Sequence, residues 1–434
     1  VIECIVLLAG LHSIIATFRI GRMKNFPVSS DAGTSDAFVV SPDLEALMPR
    51  EMIPLVAAGR WAELLTITEA RVASPDATAT DWHAHGTALL GLRRFTEGGA
   101  ALDYAKQCGP GASTTQRPST TNVWVADALE LAARGQGEAA IRRLAFRLAN
   151  MAPVSGSLLE AMAVRRPSSV RLTFTAEELL TLARVLGHND IAASLATGWK
   201  AITPGSASAQ YMHAAICGEM VPPAAPADYV REQFDSFAAS FEKVLVDGLG
   251  YGTPAVMRDA LENWMRAQPA LLRILDLGCG TGLSGPLFRP FAIHLAGVDL
   301  APRMLAIATE KGCYDQLDVG EITEFLRAAA AGPPHDLIIA TDVVMYFGEI
   351  AALLEAVSGA LRSGGRFSFT VEAHDLPGQQ LYPTGRYKHQ RSWVERQAAQ
   401  AGFEVIAVEK TIIRMEAGEP VAGWLFLLER PHAA

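Results

Sequence analysis

Cysteine is sparse: the chain has 434 residues and five cysteines, Cys4, Cys108, Cys217, Cys279 and Cys313, with no CxxC pair and no Cys/His cluster. That pattern argues against a disulfide framework or a zinc site, predicts no metal, and fits a reducing, cytoplasmic setting. Charge is also low, 19% of residues against 50% apolar, which excludes the composition of a disordered chain. A basic excess is missing: 37 Lys and Arg stand against 46 Asp and Glu, a formal charge of −9. That is the wrong sign for binding phosphate backbones, so nucleic acid is disfavoured as a partner. The uncharged run Cys4–Phe18 covers 15 residues, short of the roughly 20 that cross a bilayer. Glu3 stands where a signal peptide would carry positive charge, so a membrane role is disfavoured too. Met23 and Lys24 open a polar stretch like an ordinary amino terminus, and residues before Met23 are expected to precede the native start.

At roughly 100–200 residues per domain, the length predicts two or three globular units. From about Pro42 to Pro204 the chain is rich in Ala and Leu at helical spacing, with breaks at Gly and Pro, which predicts consecutive helices. Within it GRWAELLTITEARVASPD (Gly59–Asp76) echoes RRFTEGGAALDYAKQCGP (Arg93–Pro110), and Trp61 and Phe95 are 34 positions apart, the period of a tetratricopeptide repeat. Between them Asp81–Leu92 would supply the partner helix, with Gly86 where two helices approach closely. Weaker echoes at Ala133–Pro153 and Leu182–Pro204 again put Gly before a helix. A plain alanine-rich helical layer is the alternative. Real repeats would stack into a concave face suited to a protein partner. His83 and His85, two apart, fall on different helix faces and read as surface or packing residues. The polar insert Gly111–Asn122 reads as an exposed loop.

The Pro/Ala stretch Val221–Tyr229 breaks the helical array. After it, Phe234, Phe237, Phe241, Val244 and Leu245 fall on one helix face, a core-facing stripe. Helix and strand patterns then alternate, with strands expected at Arg273–Leu277, Ile293–Asp299, Asp336–Ala340 and Arg366–Val371. This predicts an α/β fold with a doubly wound parallel sheet. Glu404–Ile413 and Ala422–Glu429 would form a closing antiparallel hairpin.

The densest local pattern is ILDLGCGTG, Ile274–Gly282. Gly278, Gly280 and Gly282 make a turn through which backbone can approach a nucleotide-like ligand at a strand end. A dinucleotide fingerprint needs a third glycine at 283, where the chain has Leu283. Asp276 followed by alternate glycines resembles the first motif of class I S-adenosylmethionine-dependent methyltransferases. Asp299, 17 residues after Gly282, matches the acidic strand end that grips the ribose in that family, with Leu300 or Met304 packing on adenine. LDVGEITEFL resembles the segment that meets the adenine amine: Glu321 with the backbone of Ile322, or Asp318. HDLIIATDVVMYF, ending its strand at Thr341 and Asp342, and LRSGGRFSFTVE fit the next two family segments. The resemblance covers roughly Pro254–Arg430 and implies a Rossmann-like sheet with S-adenosyl-L-methionine as cofactor, held by Asp276, Gly278, Cys279, Gly280, Gly282, Asp299, Leu300, Met304, Glu321, Ile322 and Thr341.

The helical layer, the segment YVREQFDSFAASFEKVLVDGLGYGTP and the late YPTGRYKHQRSWVERQAAQAGFEV together also resemble predicted methyltransferases that carry tetratricopeptide repeats. The expected division is 1–41, a partly non-native or disordered segment; 42–220, a tetratricopeptide-like domain; 221–253, a linker and cap helix; and 254–434, the methyltransferase domain. In-line transfer needs a base only when the acceptor atom is protonated. Asp342, His374, His389 and Tyr387 are the candidates, while Asp342 as a helix cap and Glu372 as a surface residue remain open readings. The implied acceptor is a small molecule or a protein. TDVVMY lacks the Pro-Pro-aromatic form of exocyclic-amine methylation and no Pro-Cys nucleophile is present, so a nucleic-acid acceptor is the lesser alternative. An adaptor that retains a cofactor-binding fold is another.

Overall fold

The computed structural model describes residues 48–108, 121–149, 168–219, 221–242, 251–416 and 419–432. The apolar opening, most of the 111–122 insert, Val244 and Leu245 lie outside the described residues. The chain folds as two compact units, the second beginning at Gly218.

The first unit is helical: α1 (Ile53–Ala57), α2 (Trp61–Val72), α3 (Ala79–Gly91), α4 (Phe95–Gln107), α5 (Thr121–Ala133), α6 (Gly137–Ala149), α7 (Ser168–Val185), α8 (Asn189–Ile202) and α9 (Ala207–Cys217). Thr78 starts α3 with a reciprocal capping box to Asp81, satisfying two otherwise orphaned amides. One turn recurs at four helix ends. Gly59, Arg93, Gly135 and Gly187 are left-handed, with φ of 64, 62, 74 and 83°. At each, that residue's amide bonds the carbonyl three back, and the following amide bonds the carbonyl five back, the Schellman arrangement that stops a helix and restarts another. The turns fall 34, 42 and 52 residues apart, so only the first interval carries the clear sequence echo. Arg60 and Arg94, which follow the first two turns, each ion-pair with the Glu three residues on, Glu63 and Glu97.

Neighbouring helices pack along the chain, with α6 also against α8. A Cβ on Gly86 would lie 2.7 Å from Leu102 Cγ and 3.0 Å from the Gly98 carbonyl, so α3 and α4 approach through a glycine contact. Closer still are α6 and α8, where a Cβ on Gly198 would lie 2.2 Å from the Gly137 carbonyl carbon. His85 packs half-buried with Nδ1 3.1 Å from Thr68 Oγ1.

The second unit holds α10 (Ala227–Phe237), α11 (Thr253–Arg266), β1 (Leu272–Leu277), α12 (Gly285–Phe288), β2 (Ala292–Asp299), α13 (Pro302–Glu310), β3 (Gln316–Val319), α14 (Ile322–Ala329), β4 (His335–Ala340), α15 (Ala351–Ala360), β5 (Leu361–Ala373), β6 (Gln379–Tyr382), β7 (Arg386–His389), α16 (Arg391–Gln400), β8 (Glu404–Glu416) and β9 (Glu419–Glu429). The sheet order is β3-β2-β1-β4-β5-β7-β6, with β9 antiparallel to β5 and paired to β8. Strands β1 to β5 are parallel, giving a Rossmann-like sheet of mixed strands. Alternate residues feed two cores: Leu275, Leu277, Val298 and Ile338 pack under α14, α15 and α16, while Ile274, Leu295, Leu337 and Ile339 pack against Met257, Leu261 and Phe288.

The Val221–Tyr229 stretch is tied into the second unit: Gly348 and Glu349 donate to the Pro223 carbonyl at 2.8 Å, Ala225 donates to the Tyr346 carbonyl, and Ala224 bridges Phe347. In the GRYKHQ region, β6 and β7 pair with each other and β7 continues the sheet beside β5.

Gly198→Ala should lose about 1–3 kcal/mol of stability from overpacking, measured by denaturant unfolding. Gly205→Ala, where a Cβ meets nothing within 4 Å, should leave the midpoint unchanged.

Candidate active site

Chain order reverses between β1 and β4, so the carboxyl ends of β1, β2 and β4 open onto one crevice, the usual ligand position in such sheets. Leaving β1, Gly278 and Cys279 donate to the Val298 carbonyl at 2.8 and 3.1 Å, pinning the glycine turn to β2. A side chain at Gly278 would strike Val343, whose Cγ2 lies 2.4 Å from its Cβ position. Gly280 differs: its φ is +54° and a Cβ there would meet nothing within 4 Å, so its backbone borders open space.

Asp299 ends β2. Its Oδ2 accepts from the Gly280 amide at 2.9 Å and its Oδ1 from the Ala301 amide at 2.8 Å. Burial raises its pKa against these bonds. Beneath the turn, Asp276 is fully buried. Tyr314 donates to its Oδ2 at 2.7 Å, while Oδ1 is buried with no hydrogen-bond partner among the described residues. Burial first, with Asp299 adding to it, pushes Asp276 up to about 7.

The remaining candidates separate into those at the crevice and those behind it. Leu300 is half-buried beside Asp299. Met304 is fully buried, in a cluster with Ala238 and Ala301 joined by Phe234 and Phe241, so it packs α10 on α13 and offers no open face. Cys279 is buried with its Sγ 2.8 Å from the Cβ position of Gly297. Glu321 caps α14, accepting from the Glu324 amide at 2.8 Å, and Ile322 lies in the sheet core. Asp318 accepts from Gln316 at 2.7 Å. Asp318 lies in β3 and Glu321 just after it, and Val319 of that strand pairs with Asp299. Thr341 stands 3.5 Å from Ser284 Oγ and bonds the Tyr251 hydroxyl.

Asp342 has φ +59°, a left-handed backbone that costs a non-glycine residue about 1–3 kcal/mol and that must be held in place by its surroundings. Its amide donates to Thr370 Oγ1 at 3.0 Å, and Arg414 Nη1 donates to both carboxylate oxygens at 3.0 Å. Arg414 Nη2 also donates to Glu372, which accepts from Arg386 Nε at 3.0 Å. Arg414 and Glu372 are 5% and 2% exposed, so Glu372 is no surface residue. Asp342 is not a helix cap, and burial raises its pKa although Arg414 opposes that shift.

Tyr387 and His389 do not face the crevice. Tyr387 is fully buried and donates to the Pro222 carbonyl. His389 is equally buried, its Nε2 donating to the Phe347 carbonyl at 2.8 Å, its ring stacked on Trp393 and its pKa lowered by burial to about 4. Both side chains hold the 222–225 strap and the 347–348 segment. His374 is engaged locally, with Gly378 and Leu376. The sequence reading missed Tyr251, Tyr314, Arg386 and Arg414. Arg414 left a trace, as a lone cation within the otherwise apolar Ile412–Met415 stretch. Among the described residues no group of three or more His, Cys, Asp or Glu could hold a metal, and no helix is long and apolar enough to cross a membrane.

Residues 275–367 match the family described as "Methyltransferase domain". A ubiquinone biosynthesis O-methyltransferase of Xylella fastidiosa (strain 9a5c) is 30% identical over 98 residues, covering 22% of this chain and 39% of the relative. The namesake from Methylobacterium sp. (strain 4-46) is 32% identical over the same length and shares. The chain thus spans about two fifths of the length of these curated relatives. Among solved structures, magnesium protoporphyrin IX methyltransferase from Synechocystis PCC 6803 with bound SAH is 18% identical, covering 47% of this chain and 100% of that one at a TM-score of 0.38. A methyltransferase from Mesorhizobium loti is 23% identical, covering 39% and 98% at 0.31.

Because the folded pKa of Asp276 lies above the unfolded value of 3.8, the folded state binds more protons across that window and stability falls as pH rises through it. Asp276→Asn should therefore gain thermal stability over the wild type at pH 8, and much less at pH 4.5, by calorimetry at both values.

Proposed function

We propose that this protein is an S-adenosylmethionine-dependent methyltransferase, with its catalytic unit in residues 254–434 and a small-molecule or protein acceptor. The observation that carries the reading is the open backbone of Gly280 beside the Asp299 carboxylate, at the point where the sheet order reverses and within the matched segment. The chemistry of the residues fits the group. Asp276, buried with one oxygen that has no hydrogen-bond partner among the described residues, and Asp299 make an acidic floor suited to a cationic sulfonium ligand. Each Asp299 oxygen keeps a lone pair beyond its backbone bond, enough to accept two ribose hydroxyls. Glu321 or Asp318 stands beside it for the adenine amine, and Thr341 closes the β4 side.

The cofactor supplies a methyl group on sulfur that is already activated toward displacement. The chain's task is to fix the acceptor in line and to exclude water. Tyr387 and His389 serve this indirectly, by seating the strap at 222–225, and a base role is not assigned to them. Asp342 remains at the β4 end as a paired carboxylate. The relatives' name favours an oxygen acceptor on a small molecule, and the four repeated turns favour a tetratricopeptide-like layer that recruits or presents the acceptor. Acidic net charge disfavours nucleic acid.

Asp299→Ala should weaken S-adenosylhomocysteine binding by roughly 100-fold, the loss of two hydrogen bonds to a charged acceptor, while unfolding stays cooperative. Unchanged affinity by calorimetry removes the site. Full-length protein incubated with methyl-labelled cofactor and fractionated lysate should label a small molecule or a protein. Label in nucleic acid would overturn the acceptor reading, and label in no fraction would favour the adaptor.

A further inference from the structure

The charged cluster behind the crevice is not explained by cofactor contacts. Its centre, Arg414, lies in β8, 72 residues from its partner Asp342. One guanidinium nitrogen takes both Asp342 oxygens and the other takes Glu372 Oε1, which also accepts from Arg386 Nε. Two cations and two carboxylates balance, so the burial of each depends on the others.

Asp342 occupies the one left-handed non-glycine position among the described residues of the second unit, with φ +59°. Its neighbours are the two residues that meet the cofactor crevice from β4. Thr341 reaches Tyr251 and Ser284, and Val343 lies against Gly278. The direction of both side chains is set by the backbone at 342. A second tie runs beside the first: Thr253 Oγ1 donates to the Ile413 carbonyl at 2.8 Å, joining the start of α11, two residues after Tyr251, to the residue preceding Arg414. Residues 341–342, 413–414 and 251–253 thus form a closed ring of contacts at the crevice floor. Strain that surrounding contacts hold in place is characteristic of sites whose geometry matters.

We propose that Arg414 is a positioning residue for the methyl-donor site: by clamping Asp342 in its left-handed backbone, it sets Thr341 and Val343 at the floor of the glycine-turn crevice, so that cofactor affinity depends on it. This rests on the methyltransferase reading above. The planar fork matters because the bonds to Asp342 and to Glu372 leave from two different nitrogens, a fixed separation that the single nitrogen of an ammonium does not reproduce.

The test is calorimetric titration of full-length protein with S-adenosylhomocysteine at 15 °C, alongside thermal unfolding of the same samples. Arg414→Lys should weaken binding about tenfold while the protein remains cooperatively folded. Should Arg414→Lys fail to fold, Asp342→Ala serves as the second variant, since alanine neither accepts the guanidinium nor favours the left-handed backbone; a fivefold or greater loss is expected. A lower melting temperature with unchanged affinity in the folded variant would show a structural role alone and overturn the inference. No binding by the wild type would instead remove the cofactor assignment on which it rests.

Discussion

The Asp299 carboxylate joins three segments that the chain makes separately. Its two oxygens hold the amides of Gly280 and Ala301, so the glycine turn after β1 and the approach to α13 close on the end of β2. This works only because β1 and β2 run parallel in a register that pairs Leu277 with Val298, leaving the turn and Asp299 side by side. Parallel pairing gives no direct connection between strands, so the helices between them must pack correctly before the carboxylate finds its partners. The crevice is a consequence of the sheet, and Gly280 is the point of the turn that no side chain crowds.

Charge at this crevice is distributed unevenly, and the imbalance bears on function. The four charges of the network, Arg414, Arg386, Asp342 and Glu372, cancel, so it can stay buried without a ligand. Asp276 has only the hydroxyls of Tyr314 and Ser284 against its burial and the nearby Asp299, no cation among them, and its raised pKa marks a carboxylate whose ionised form is under-compensated. A site that costs stability when charged and sits beneath an open backbone turn suits a ligand that brings positive charge.

Several features were readable because their causes are local. The glycine turn, Asp299 and the strand ends follow from residue types a few positions apart, and the expected strands fall within or overlap β1, β2, β4, β5, β8 and β9. The strands β3, β6 and β7, four residues each, were not read as strands, because so short a span shows no reliable alternation. Tyr387 and His389 looked reactive for the same local reason: polar aromatic groups in a turn-rich stretch. Their burial depends on Pro222 and Phe347, 165 and 42 residues away, which no window along the chain can show. Met304 was misread in a similar way, its place being taken up by Ala238, Phe234 and Phe241 from α10 and the turn after it.

What the sequence alone determined is the chemistry available: an acidic, cysteine-poor chain, a helical layer with repeated glycine stops, a glycine turn, and an acid at the next strand's end. These are set by backbone freedom at glycine and by the period of apolar residues. Tertiary structure alone decided which polar groups face a ligand and which are consumed in holding the fold. Burial and pairing depend on partners brought together across the sheet, and that is why Arg414, which the sequence reading passed over, lies at the centre of the network behind the crevice.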